Sequence, residues 1–192
     1  MKRVAFLVSG SGTNMENLIK RIQTGEIPAD PVIVISNKPG VKALEKASAM
    51  GVRTVVIDHK AYADREAFDR AVSECLESNK ADFVVLAGFM RVLTEGFVKK
   101  YNGRLINIHP ALLPAFPGAH AIKDAWGAKV KETGVTVHFV DSGVDTGPVI
   151  LQRKVPVLSS DTLETLEARI HSLEYELYPQ ALKLVVAGEA KP

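Results

Sequence analysis

The chain has 192 residues, with 24 Lys and Arg against 22 Asp and Glu for a formal net charge of +2. That length suits one domain with a sizeable core and leaves little room for a second full domain, so we expect one. The basic residues are scattered and no basic run is interleaved with aromatics. The electrostatic footprint of a nucleic-acid binder is therefore missing, and small-molecule partners are favoured.

The chain opens on Lys2 and Arg3 and an apolar run, Val4 to Val8. That run is too short for a signal peptide and is followed at once by Ser9-Gly10-Ser11-Gly12. No apolar stretch approaches the roughly 20 residues of a membrane span, so a cytoplasmic location is expected. Short β-branched runs then alternate with longer amphipathic ones. Strands are predicted at Arg3–Val8, Val32–Ser36, Thr54–Ile57, Phe83–Ala87 and Leu105–Ile108, with helices near Asn14–Gln23, Val41–Met50, Asp64–Ser78 and Glu95–Tyr101. Within the third helix the single cysteine, Cys75, keeps company with Phe68, Val72 and Leu76 and reads as a core thiol. Phe83-Val84-Val85-Leu86-Ala87 is apolar on both faces, as a strand covered by helices on each side should be.

After His109 the rhythm changes. Pro110, Pro114, Pro117 and Gly118 punctuate a loop, a short helix covers Ala121–Ala128, and strands at Val135–Asp141 and Val149–Val155 flank a Gly-rich turn. A long helix, capped near Ser160 or Asp161, follows with Leu163, Leu166, Ile170, Leu173 and Leu177 on one stripe; Pro179 should kink or break it. The whole reads as an α/β chain. It is a Rossmann-like, doubly wound, mostly parallel sheet with a mixed C-terminal extension and a long C-terminal helix.

Several turns carry residues suited to chemistry. In Ser9-Gly10-Ser11-Gly12-Thr13-Asn14-Met15 the glycines let the backbone turn sharply before a helix whose N-terminal amides can face an anion, so a phosphate monoester is one reading. A plain tight turn with Thr13 or Asn14 as N-cap is the other. Met15 stands where a dinucleotide fingerprint needs its third glycine. In Leu86 to Leu93, Gly88 permits close approach to the backbone, and Met90, Val92 and Leu93 could line a slot for a flat heterocycle.

Alternation along Arg104-Leu105-Ile106-Asn107-Ile108-His109 sends Asn107 and His109 to the same side of a strand that Pro110 then ends. Side by side, an amide and an imidazole could donate hydrogen bonds to a developing oxyanion, which points to acyl-group chemistry. Asp145, in the turn Asp141 to Pro148, would favour the imidazolium of His109 if folding brought the two together; otherwise the turn is a hairpin connection with solvated acids. His138 shares a strand face with Thr136 and reads as a hydrogen-bonded structural residue, and His120 could line the cleft through the Pro-Gly loop. The five histidines lack metal-ligand spacing, so no metal is expected. Gly10-Ser11-Gly12 lacks the outer spacing of a nucleophile elbow, which disfavours covalent acyl-enzyme chemistry. Glu174 borders the apolar stripe of the last helix, and a solvated side chain is the default there.

Taken together, the Gly-rich turn, Leu86-Ala87-Gly88-Phe89-Met90-Arg91, Asn107-Ile108-His109-Pro110-Ala111-Leu112-Leu113-Pro114, Pro117-Gly118-Ala119-His120, and Gly134 to Val140 through Asp145-Thr146-Gly147-Pro148 resemble the phosphoribosylglycinamide formyltransferase family over essentially the whole chain. The resemblance implies an enzyme that moves the formyl group of 10-formyltetrahydrofolate to the amine of glycinamide ribonucleotide in purine biosynthesis, without a metal. It implies a nucleotide-phosphate-binding half at 1–109 and a folate and catalytic half at 110–192. By the same resemblance Gly12, Thr13 and Asn14 hold the nucleotide phosphate, and Glu174 contacts its ribose. Arg65, Met90, Arg91, Val92, Leu93, Asn107, Asp141 and Asp145 bind the folate, and Asn107, His109 and Asp145 carry the catalysis. A homodimer is possible by analogy. Ala111 and Ala119 depart from the commoner Ser and Leu, a matter of loop packing. Formyltetrahydrofolate hydrolase and methionyl-tRNA formyltransferase are the rivals; the hydrolase would predict His-His where His109-Pro110 stands.

Overall fold

The computed structural model describes residues 1–192. In chain order it contains β1 (Lys2–Val8), α1 (Thr13–Gln23), β2 (Ala29–Ser36), α2 (Lys42–Ala49), β3 (Thr54–Val56), α3 (Arg65–Ser78), β4 (Phe83–Leu86), α4 (Glu95–Lys100), β5 (Leu105–His109), α5 (Ala121–Gly127), β6 (Glu132–Phe139), β7 (Val149–Pro156) and α6 (Leu163–Ala187), plus a 3-10 turn at His59–Ala61. The strands form one mixed, mostly parallel seven-stranded sheet in the order β3-β2-β1-β4-β5-β6-β7. No helix is long and apolar enough to cross a membrane. The chain divides into two compact units, Met1–Ile106 and Asn107–Pro192.

In the N-terminal unit β1 pairs in parallel with β2 and β4, and β2 with β3. Every residue from Val4 to Val8 is fully buried, which explains a strand with no polar face: helices cover both sides. The α1 helix buries Met15, Leu18, Ile19 and Ile22, the three-four spacing of a single apolar stripe. β2 begins three residues before the predicted Val32. Pro31 sits inside it, and the register slips between Val4 and Ala5 so that Val4 faces Pro31 and Ala5 faces Ile33. A bulge of this kind accommodates a residue with no N–H to give the ladder. Cys75 departs from expectation. The inner stripe of α3 runs through Phe68, Val72 and Leu76, while Cys75 lies at its border, half-buried, and partial burial raises its thiol pKa.

In the C-terminal unit β6 and β7 are antiparallel, with a register shift between Val137 and His138. Gly134 is required there, because a Cβ would run into the Arg153 carbonyl and the Leu112 side chain. The α6 helix differs from its predicted form at both ends of the argument. Its cap is Thr162, in a reciprocal capping box with Thr165, while Asp161 instead pairs with Arg169 at 2.6 Å. Pro179 does not break it, for the helix runs on to Ala187 and ends at Gly188 with φ +76°. Proline removes one rung of the ladder. The buried Leu177, Tyr178, Ala181, Leu182 and Val185 around it hold the helix continuous by packing.

Candidate active site

In the N-terminal unit Ser9, Gly10, Ser11, Gly12, Thr13, Asn14, Ala87, Gly88 and Met90 line a cavity of about 180 Å³. Gly12 is the N-cap of α1, with φ +68° and no side-chain cap, so neither Thr13 nor Asn14 takes that place. A Cβ on Gly12 would stand 2.6 Å from the Ala43 Cβ, and the Ala43 amide donates to the Gly10 carbonyl at 3.1 Å. The second helix is thus seated on the turn, which only glycine permits. Gly12, Thr13 and Asn14, at the start of α1, line the cavity, and the free first-turn amides of a helix suit an anion.

The C-terminal unit gathers the amide, the imidazole and the carboxylate. His109 is 4% exposed. Its Nδ1 lies 3.4 Å from Asp145 Oδ2, and its Nε2 donates to the Phe116 carbonyl at 2.7 Å. Asp145 also accepts the Gly118 amide at 2.8 Å. His138, buried on β6, places Nε2 3.4 Å from Asn107 Nδ2 and 3.7 Å from Asp145 Oδ1, between the two. The sequence reads His138 as a hydrogen-bonded structural residue, and the structure adds its approach to the Asp145 carboxylate. The missing signal was the bulge that turns it toward the loop.

This cluster is assembled with backbone strain. Asp145 and Phe116, the residues that meet the two nitrogens of His109, have φ of +55° and +52°, a region costing a non-glycine residue about 1 kcal/mol. Asp141 holds the loop, accepting the Gly143 amide at 3.0 Å and the Thr146 hydroxyl at 2.7 Å. Gly147 lies so close to the Phe139 carbonyl that no Cβ fits. The Pro110 to Pro114 segment is pinned by Thr136, whose hydroxyl donates to the Ala111 carbonyl at 2.7 Å and accepts the Leu113 amide at 3.2 Å.

The His138 ring first, then the Gly118 amide and the His109 ring, hold the Asp145 pKa down to about 2 from an ordinary 3.8, against the opposing effect of burial. The folded state therefore binds this proton less readily than the unfolded chain. Its contribution to stability is complete above about pH 4 and is lost as pH falls toward 2. Denaturant unfolding of wild type and Asp145→Asn across pH 5 to 2 should show the wild type losing more stability over that interval. Parallel slopes would mean that the carboxylate gains nothing from its neighbours.

The remaining predicted positions fall in several environments. Met90 and Val92 are 71% and 63% exposed, apolar side chains available to a flat ring. Arg91 lies over the Phe68 ring at 5.1 Å, whereas Leu93 is buried. Arg65 is exposed in the first turn of α3, and His120 is exposed at the cap of α5. Glu174 is buried, contrary to the solvated default, and accepts from His171 Nδ1 at 2.9 Å. That contact raises the His171 pKa against desolvation.

Residues 2–182 match the family model described as formyl transferase, and the chain belongs to the formyl transferase family. A phosphoribosylglycinamide formyltransferase of Bacillus subtilis is 40% identical over 183 residues, covering 95% of this chain and 94% of that protein. A crystal structure of phosphoribosylglycinamide formyltransferase from Bacillus halodurans superposes with a TM-score of 0.94 at 44% identity, over 98% of this chain and 97% of that one. The trifunctional purine biosynthetic protein adenosine-3 of Drosophila melanogaster is 49% identical over 191 residues and 98% of this chain. The chain spans 14% of that protein's length and 19% of its Bos taurus counterpart.

Proposed function

We propose that this chain transfers the formyl group of 10-formyltetrahydrofolate to the primary amine of glycinamide ribonucleotide, giving formylglycinamide ribonucleotide and tetrahydrofolate in de novo purine synthesis. The observation that carries the reading is the Asn107, His109 and Asp145 cluster, supported by relatives named for this reaction. The Gly12, Thr13 and Asn14 turn takes the nucleotide phosphate and Glu174 its ribose. Arg65, Met90 to Leu93 and the Asp141 to Asp145 loop take the folate. The reading extends to a cytoplasmic enzyme of small molecules, with a homodimer as the assembly to test by light scattering.

In this mechanism the substrate amine attacks the formyl carbon, and the carbonyl oxygen becomes an oxyanion. Asn107 donates an amide N–H to it, and protonated His109 supports the same charge. The new N–C bond forms in this step to give a tetrahedral intermediate, and the bond from the formyl carbon to the folate nitrogen breaks when that intermediate collapses and the carbonyl re-forms. The proton lost by the amine reaches that nitrogen through His109 or a water positioned by Asp145. No covalent enzyme intermediate is needed.

A single incubation tests this, reading the absorbance of deformylated folate with and without glycinamide ribonucleotide. A rise that requires the nucleotide supports transfer. A rise without it makes the chain a hydrolase, and no rise makes it a binding module. Thr13→Ala should raise the nucleotide Michaelis constant about tenfold with little change in kcat, because a phosphate remote from the reacting atoms contributes largely uniform binding. A fall confined to kcat would place Thr13 in the chemistry instead.

A further inference from the structure

Ser9, at the end of β1 just after Val8, is nearly buried. Its hydroxyl accepts the Met90 backbone amide at 2.8 Å and donates to Asn37 Oδ1 at 2.6 Å. Ser9 and Met90 are both lining residues of the cavity, one from the Gly-rich turn and the other from the segment that follows β4. A single side chain thus ties the two walls together. The Met90 amide has left the strand ladder, since Gly88 turns the chain with φ +73°, and its acceptor is this side chain. With that acceptor removed, the Met90 amide loses a protein partner, and the segment is free to shift.

The tie is braced from behind. Asn37 is buried, its amide donates to the Val8 carbonyl at 3.4 Å, and its own carbonyl accepts from His59 Nδ1 at 2.9 Å. The His59 and Phe68 rings meet in a T-shaped pair at 6.5 Å, and Arg91 lies over the Phe68 ring at 5.1 Å. Met90 is therefore held through its backbone and Arg91 through its side chain by one connected set of polar and aromatic contacts that begins at Ser9. Fully satisfied networks of this kind specify one geometry, and removing a member disturbs more than one contact.

We propose that Ser9 is a positioning residue, whose hydroxyl sets the Gly-rich turn and the Met90–Arg91 segment against one another so that the nucleotide and folate subsites keep their shapes together. The inference rests on the functional reading above in assigning those subsites. Ser9→Ala should raise the Michaelis constants of both substrates roughly tenfold, the scale of one lost hydrogen bond with its partner left over, with kcat changed by no more than about twofold. A residue important only for folding would lower the active fraction and hence kcat, with both Michaelis constants unchanged. Ser9→Cys, which keeps the shape with a weaker donor and acceptor, should move in the same direction and carries the test if the alanine variant folds poorly. A rise for one substrate alone, or a loss in kcat alone, overturns the proposal. Amide hydrogen exchange supplies a readout that needs no turnover. Ser9→Ala should speed exchange at Met90 and at Ser11 to Asn14 in parallel, and acceleration confined to one wall also overturns it. Wild-type turnover, measured alongside, reports on the functional reading separately.

Discussion

Asn107→Ala is expected to lower kcat about a hundred- to a thousandfold, the usual consequence of losing one oxyanion donor, while the equilibrium affinity for glycinamide ribonucleotide stays within a few fold. In the proposed mechanism the loss belongs in kcat, because there the amide meets an oxygen that carries full negative charge only beyond the ground state. The fold should tolerate the change. Asn107 is half-buried near the end of β5, and its recorded partner is His138 Nε2 at the long distance of 3.4 Å, so the stability cost is about 1 kcal/mol. Asn107→Asp is the sharper variant: it keeps the shape, removes the donor and sets a negative charge beside the oxyanion. It should be no faster than the alanine variant. Steady-state kinetics paired with a binding titration decide the matter, and turnover within about tenfold of wild type in Asn107→Ala removes the amide from the mechanism.

How far such a site can be read from residues alone depends on whether the relevant distance is local. Asn107 and His109 are two apart on a strand, so the pleat alone puts them on one side. Asp145 is brought to His109 by a loop whose path depends on a left-handed residue at Asp145 itself, on Gly147 fitting under Phe139 and on Asp141 fastening Gly143 and Thr146. None of these has a periodic signature, and composition alone favours reading the turn as a hairpin connection with solvated acids. His138 shows the same limit. Its neighbours in sequence make it a buried strand residue, which it is, but the register shift after Val137 gives it a place between Asn107 and Asp145. Glu174 sits at the border of its helix's apolar stripe, and pattern could not say which way it faced. The long α6 illustrates the reverse case, where propensity argued for a break at Pro179 and tertiary packing on both sides of it prevailed. The sheet itself was far more legible, because its strands are runs of β-branched residues separated by amphipathic helices, and both signals are contained within a few residues.

His109→Ala and Asp145→Asn should each lower kcat about a hundred- to a thousandfold, and the double variant should be scarcely slower than the worse single one. Asparagine is the informative replacement at position 145. It tolerates a φ of +55° better than other residues that bear a Cβ, and its carbonyl can still accept the Gly118 amide that the carboxylate accepts at 2.8 Å, so the loop keeps its path and only the charge is lost. The aspartate is ionised throughout the working range, with a pKa of about 2, and its oxygen faces His109 Nδ1 at 3.4 Å. If its role is to keep that ring oriented and charged, removing the ring leaves it little to act on. Independent roles would multiply the two losses to roughly ten-thousand- to a millionfold. A double variant in that range would separate Asp145 from His109, leaving positioning of water as the part of its role that survives.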